Sequence, residues 1–389
     1  MAIADFPWCE KGFAQKVAKT LGVDSIKFVG GAVRDSLLGK PVHDIDAATT
    51  HTPNIVMDLL NKAGIKNIPT GLSHGTVTAI DLATNQKIEI TTLRRDVVTD
   101  GRHADVAFTN DWVEDAARRD FTMNALYLSP DGTLFDPLQG LEDLKAGRVR
   151  FIGKAEERIT EDALRILRLF RFQAYYGREP LAKGDLKAVQ NHVNLLTGLS
   201  MERVRDETLK LLAADAPASI IKTMESLGLI ATIFPLAEDA VKHLSALQEQ
   251  DAGWNIETRS LRRLLALVPQ QRAKKIAQNL KLSGKQQTHI ANVLLAQKHL
   301  ETMPLKTLAY TYGITASMDA FLLDTDKDNT DELFMLEGYD VPVFPVTGKD
   351  LLALGYTQGE ALGKSLKILE KQWIKSNFSS DKRTLISLL

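Results

Sequence analysis

Residues 30–46 read GGAVRDSLLGKPVHDID, and the choice of fold turns on them. The preceding Lys27-Phe28-Val29 is a short apolar strand, and Ala32-Val33-Arg34-Asp35 opens a helix. Between them, the tandem glycines Gly30 and Gly31 let backbone N–H groups approach an anion, and the helix N-terminus behind them favours phosphate. Arg34 adds a charged fork to that joint. The plainer alternative is a simple strand-turn-helix corner with Asp35 as a cap. The pattern is neither G-x-G-x-x-G nor a P-loop, because no Gly-Lys-Ser/Thr follows it.

The stretch ends in His43-Asp44-Ile45-Asp46, which the pattern places on a strand. Residues two apart on a strand share a face, so Asp44 and Asp46 project together while Ile45 faces the core. Two carboxylates held that close repel unless a cation lies between them. Magnesium suits such oxygen ligands and leaves room for triphosphate oxygens; two such ions clamp an in-line displacement at phosphorus. A lone D-x-D is a weak signal, and a solvated strand end is its ordinary meaning. Its weight here comes from the glycine turn upstream.

Working outward, residues 1–147 read as mixed α/β. TVTAIDLA and KIEITTL run in strand fashion, and SPDGTLFDP carries an Asp-Gly turn between two short strands. After Gly153 helical periodicity takes over, as in EDALRILRLFRFQAYYG and MERVRDETLKLLAA. The expected class is therefore α+β, a small mixed-sheet head followed by helices. The segment DTDKDNTDE, residues 324–332, starts like a calcium loop, but Asn329 stands at the tight-glycine position and Met335 at the bidentate glutamate. It is expected to be an acidic surface loop.

Bulk properties narrow the function. A chain of 389 residues is too long for one core. A net charge of −1 gives no overall attraction to nucleic acid, so any RNA site must be local. Residues 259–298 supply one candidate, with nine Lys or Arg (among them Arg262, Arg263, Arg272, Lys274 and Lys275) and no Asp or Glu. Farther on, Leu362, Leu366, Leu369 and Trp373 form a helical stripe, with Lys364, Lys367, Lys371 and Lys375 opposite. That lysine face is either an RNA contact or simply solvated. Cys9 is the only cysteine, which excludes an internal disulfide and fits a reducing compartment. There is no apolar run of 18 residues and no signal-like N-terminus. The expected location is the cytoplasm, with no membrane span and no protein partner implied.

Taken together, GGAVRDSLLGKPVHDID resembles the head of the tRNA nucleotidyltransferase and bacterial poly(A) polymerase family, whose class II signature is GG-x-x-R-D followed by D-x-D. Further motifs match in order. Arg118-Arg119-Asp120-Phe121-Thr122-Met123-Asn124-Ala125 is similar to the family's ribose and nucleotide-handling motif, and Glu161-Asp162-Ala163-Leu164-Arg165 to its base-reading motif. Glu202-Arg203 with Glu207 and Lys210 resembles its last, helix-stabilising motif, and PVTGKDLLALGYTQGEALGKSLKILEKQWI its C-terminal tRNA-binding region. The resemblance implies a catalytic head over residues 1–147, a neck over 148–215, a body over 216–310 and a tail over 311–389. It also implies addition of CCA to tRNA from CTP and ATP with magnesium as cofactor.

In that light Asp162 and Arg165 read the base. They lie i, i+3 on one expected helix. A carboxylate only accepts and a guanidinium only donates, so the pair matches the amino group and ring acceptor of C and A and opposes G and U. Arg168 and Arg171 continue the run towards phosphates or brace the pair. In the family an acidic residue stands at Glu89, as a third metal ligand or a helper of the attacking hydroxyl; a paired structural charge is the alternative. Residues 94–117, charged and containing Gly101, read as a loop able to reorganise between C and A. Gly71-Leu72-Ser73-His74-Gly75-Thr76-Val77-Thr78 resembles the CCA-adding branch rather than poly(A) polymerase. A poly(A) polymerase, a partial CC- or A-adding enzyme, and a non-catalytic RNA-binding protein are the rival readings.

Overall fold

The computed structural model describes residues 6–10, 12–42, 44–99, 104–251 and 253–389; His43 and Gly101 lie outside them. Two compact units are present, residues 1–214 with 223–233, and residues 215–222 with 234–389.

The first unit is built on β1 (Ile26–Val29), β2 (Ile45–Thr49), β3 (Lys66–Gly71), β4 (Thr76–Ile80) and β5 (Lys87–Thr92). The short hairpin β8 (Tyr127–Leu128) and β9 (Leu134–Phe135) completes a mixed seven-stranded sheet in the order β3-β4-β5-β2-β1-β8-β9. The pair β2–β5 is parallel and its neighbours are antiparallel. Its register sets Asp46 opposite Glu89, with Val29 of β1 opposite Asp46 on the other side. Ile45, Ala47, Ile88 and Ile90 are buried while Asp46 and Glu89 are exposed, so the period of two puts both carboxylates on the open side. Strand β2 begins at Ile45, so Asp44 lies just before the first paired residue rather than on the strand. Helices α1 (Phe13–Leu21), α2 (Gly31–Leu37) and α3 (Pro53–Lys62) belong to the same unit. In α1, Phe13, Ala14, Val17, Ala18 and Leu21 form the buried stripe.

Within the expected loop over 94–117, the described residues form regular elements instead. Strands β6 (Arg94–Thr99) and β7 (Ala104–Phe108) pair antiparallel, and α4 (Trp112–Ala117) follows, capped by Asp111, whose carboxylate accepts from the Val113 N–H at 2.7 Å. A strand ladder is made by the backbone, so charged side chains mask it from a search for apolar periodicity.

A second correction concerns the base-reading motif. Helix α5 (Ala155–Glu161) stops before α6 (Leu164–Tyr176) starts, and Asp162 between them is extended, with φ −152° and ψ 104°. Asp162 and Arg165 therefore flank a break and do not share one helix. α6 buries Leu164, Ile166, Leu167, Leu169, Phe170 and Phe172 and packs against α7 (Met201–Ala213).

The second unit is helical; among the described residues no strand follows the isolated bridge Phe121–Phe151. Helices α8 (Ala240–Asp251), α9 (Arg259–Leu267), α10 (Gly284–Gln297) and α11 (Ile314–Leu322) surround a buried ion network. Arg262 donates to Asp251 at 2.5 Å and to Asp319, Arg263 to Asp251 at 2.8 Å, and His289 pairs with Asp319 at 2.7 Å. Arg262 and Arg263 are therefore internal braces, not part of a cationic surface. Arg272, Lys274, Lys275, Lys281, Lys285 and Lys298 are exposed. Helix α12 (Glu360–Lys375) buries Leu369 and Trp373 with Val346, Leu351 and Leu385, while Lys364, Lys367, Lys371 and Lys375 lie towards its outer side. In the acidic segment Asn329 donates to the Phe321 and Asp324 carbonyls, as a loop-closing side chain. No described helix is long and apolar enough to cross a membrane.

Candidate active site

Gly30 joins β1 to α2 with φ 73°, a conformation open to glycine. A Cβ placed there would lie 3.8 Å from both an Asp46 carboxylate oxygen and an Arg119 nitrogen, so the turn is the floor on which these groups meet. Gly30, Gly31, Arg34, Asp46, Arg119, Asp120, Asn124, Arg168 and Arg171 line one cavity of about 440 Å³. All of them are residues singled out from the sequence, and they come from separate segments of the chain. Phe172, Tyr175, Tyr176 and Lys210 complete the wall.

The cationic wall is held by a relay of fixed partners. Arg34 donates to Asn124 at 2.6 Å, to Asp35 at 3.0 Å and to the Tyr176 hydroxyl at 2.7 Å, and lies 4.2 Å from the Tyr176 ring centre. Burial pushes the Tyr176 hydroxyl up to about 12 against the pull of Arg34, so it stays protonated and donates to Asp35 at 3.0 Å. Asn124 in turn donates to Asp120 at 2.9 Å, and Asp120 accepts from Arg168 at 2.5 Å. Burial raises the Asp120 carboxyl, but Arg168 and the bonds from Asn124 and the Phe121 N–H outweigh it and hold it below the ordinary range. Arg171 pairs with Glu207 of α7 at 2.9 Å. Arg119 is aimed by Asp115 at 3.2 Å and the Tyr127 hydroxyl at 3.1 Å. Burial raises Asp115 too, and Arg119 and Arg118 overcome it, so it remains a carboxylate. Gly140 packs beneath this motif: a Cβ there would overlap the Thr122 carbonyl oxygen, so only glycine fits.

Asp46 is crowded rather than neutralised. Burial of its lower side, then Glu89 and Asp44, raise its carboxyl to about 6 against the pull of Arg119 and Arg34. The residue is nevertheless exposed, and both features fit a carboxylate on the wall of a concave cavity. Among the described residues no three His, Cys, Asp or Glu side chains stand close enough to cage a metal alone. Two exposed carboxylates do fit magnesium, which keeps several waters and takes the rest of its shell from phosphate.

Asp162 and Arg165 do not line the cavity. Asp162 accepts from Arg203 at 2.7 Å and from the Leu164 N–H at 3.1 Å, while Arg165 donates to Glu161 at 2.5 Å and to the Arg158 carbonyl at 3.0 Å. Asp115, Tyr127, Phe172, Tyr175 and Tyr176 are site residues that sequence reasoning misses. The Tyr175-Tyr176 dyad at the end of an arginine-rich helix is the only local signal among them.

Comparison with known proteins places this geometry. Residues 26–150 match the family described as the Poly A polymerase head domain, and residues 182–241 the one described as a probable RNA and SrmB- binding site of polymerase A. The chain is 36% identical over 384 residues to the mitochondrial CCA tRNA nucleotidyltransferase 1 of Danio rerio, spanning 94% of this chain and 86% of that protein. It is 33% identical over 375 residues to the CCA-adding enzyme of Levilactobacillus brevis, spanning 92% of each. Among solved structures, the Bacillus stearothermophilus CCA-adding enzyme in complex with CTP superposes with a TM-score of 0.75 at 28% identity, covering 94% of this chain and 92% of that one. The glycine turn, the carboxylates and the arginine relay thus stand in a chain that belongs, along nearly its whole length, to the CCA-adding tRNA nucleotidyltransferase family.

Proposed function

We propose that this chain adds C, C and A in turn to the 3′ end of tRNA, consuming CTP and ATP and releasing pyrophosphate, without a nucleic-acid template. The observation that carries this reading is the single cavity in which the glycine turn, Asp46, Arg119-Asp120-Asn124 and the arginines of α6 face one space. Arg34, Arg119, Arg168 and Arg171 are already oriented there, so triphosphate charge meets fixed donors with little reorganisation. Asp44 and Asp46 would hold magnesium, the cofactor this all-oxygen donor set suits. Held by these carboxylates, such an ion would supply positive charge to phosphate oxygens and lower the pKa of a nearby hydroxyl. Glu89, across the register from Asp46, serves as a third carboxylate or assists the hydroxyl.

Asp162 and Arg165 are assigned the choice of base. Each carboxylate oxygen has a second acceptor site beyond the Arg203 and Leu164 bonds, so Asp162 can take a base amino group without leaving its anchors. Within this scheme residues 1–147 are the catalytic head, 148–215 the neck, 216–310 the body and 311–389 the tail. Arg272, Lys274, Lys275, Lys364, Lys367 and Lys371 contact tRNA phosphates, to which Lys and Arg supply counter-charge. With Cys9 the only cysteine, no internal disulfide can form, which supports a cytoplasmic location. The test uses tRNAs ending before CCA, after C and after CC, each given single labelled nucleotides, with the products sequenced. Stepwise C, C, A is expected. Runs of A identify a poly(A) polymerase, and no transfer at all removes the enzyme reading.

A further inference from the structure

Each guanidinium on the cavity wall has a carboxylate of its own: Arg34 has Asp35, Arg119 has Asp115, Arg168 has Asp120 and Arg171 has Glu207. Lys210 differs. It lines the same cavity, and among the described residues its ammonium makes no hydrogen bond or ion pair. Its backbone, by contrast, is fixed. Lys210 lies on α7 one turn beyond Glu207, and its carbonyl accepts the Tyr175 hydroxyl at 2.9 Å. A long, exposed side chain therefore extends from an anchored base on the cavity wall.

The direction of the cavity says what this cation meets. The base-reading pair stands at the start of α6, and Tyr175 and Tyr176 at its end. Thirteen helical residues span roughly 20 Å. The phosphate-holding joint lies at the far end, since Arg34 packs on the Tyr176 ring. A nucleotide with its base towards Arg165 thus directs its phosphates towards Lys210. We propose that Lys210 binds the β- and γ-phosphates of the incoming nucleotide and retains the pyrophosphate until it departs. This rests on the reading that the cavity takes a nucleoside triphosphate. When the 3′ hydroxyl gives up its proton to solvent and its oxygen bonds to the α-phosphorus, the bond to the bridging oxygen breaks. Its electron pair leaves with pyrophosphate, and the added charge develops beside this ammonium.

The test compares nucleotides that differ only in those phosphates. Affinities of CTP and CMP are measured by competition against a fluorescent CTP analogue, in magnesium and without RNA, for the intact protein, Lys210→Met and Lys210→Arg. Removing one charge-assisted bond should weaken CTP about tenfold in Lys210→Met, leave CMP unchanged, and be largely restored in Lys210→Arg. Inhibition by added pyrophosphate should weaken to the same degree, with the KM for tRNA unmoved. Equal weakening of CTP and CMP, or none for either, overturns the proposal, because a merely structural lysine cannot sense which phosphates are present. If the intact protein binds neither nucleotide, the enzyme reading itself fails, and the phosphate clamp with it.

Discussion

Arg168 holds Asp120 at 2.5 Å with 31% of its side chain still exposed, whereas Arg262 lies between Asp251 and Asp319 with none. Both are arginine–aspartate pairs on helices rich in leucine. One opens onto a cavity and keeps its charge available to a ligand. The other turns its charge inward, tying α8, α9 and α11 together within the second unit. What separates the cavity-lining arginine from the brace is therefore the exposed part of its guanidinium, and not the ion pair itself.

The sharpest contrast comes from removing a group proposed to serve chemistry alone. Asp46→Ala should cut kcat by about 10⁴-fold or more, over roughly 5 kcal/mol at about 1.36 kcal/mol per decade, while tRNA binding and thermal stability stay near those of the intact protein. Near-normal turnover would remove the two-metal mechanism. Breaking the brace should do the opposite. Arg262→Met leaves Asp251 and Asp319 buried without their main partner, so stability should fall by about 3–5 kcal/mol in denaturant titration. Unchanged stability would show that the network is dispensable.

Base choice should respond next. Asp162→Ala should narrow the preference for CTP and ATP over UTP and GTP by about 2–4 kcal/mol in kcat/KM, because the acceptor that repels the G and U carbonyls is gone. An equal loss for all four nucleotides would reduce Asp162 to a support for Arg203. The mildest change concerns the surface. Reversing Lys274 and Lys275 to glutamate should lower the slope of log affinity against log salt by roughly 2, one for each phosphate no longer neutralised. An unaltered slope would show that these lysines face solvent in the complex.

The parts of this molecule that are legible in the sequence are those whose logic is local. Gly30, Asp46 and the Arg119–Asn124 motif each announce themselves within a few residues, and they line one cavity. The break at Asp162 is hidden because apolar spacing runs on across it, and one extended residue does not disturb a periodicity. Arg262 reads as a surface cation because its partners stand 11 and 57 residues away, and a run of basic residues carries no sign of distant aspartates. Tyr127 and Asp115, which aim Arg119, are invisible for the same reason: an aiming residue acts through tertiary geometry and leaves no pattern of its own.

The parallel register of β2 on β5 has a consequence for how this protein can vary. Side chains alternate strictly, so a slip of one residue would turn Asp46 inward and Ile45 outward, and no partial slip exists. Ile45 and Ala47, buried behind the carboxylates, therefore act as proofreaders of alignment: their cost of exposure forbids the misaligned sheet. Polar replacements there should therefore disturb the site from behind, through the alignment of the sheet, without touching a carboxylate.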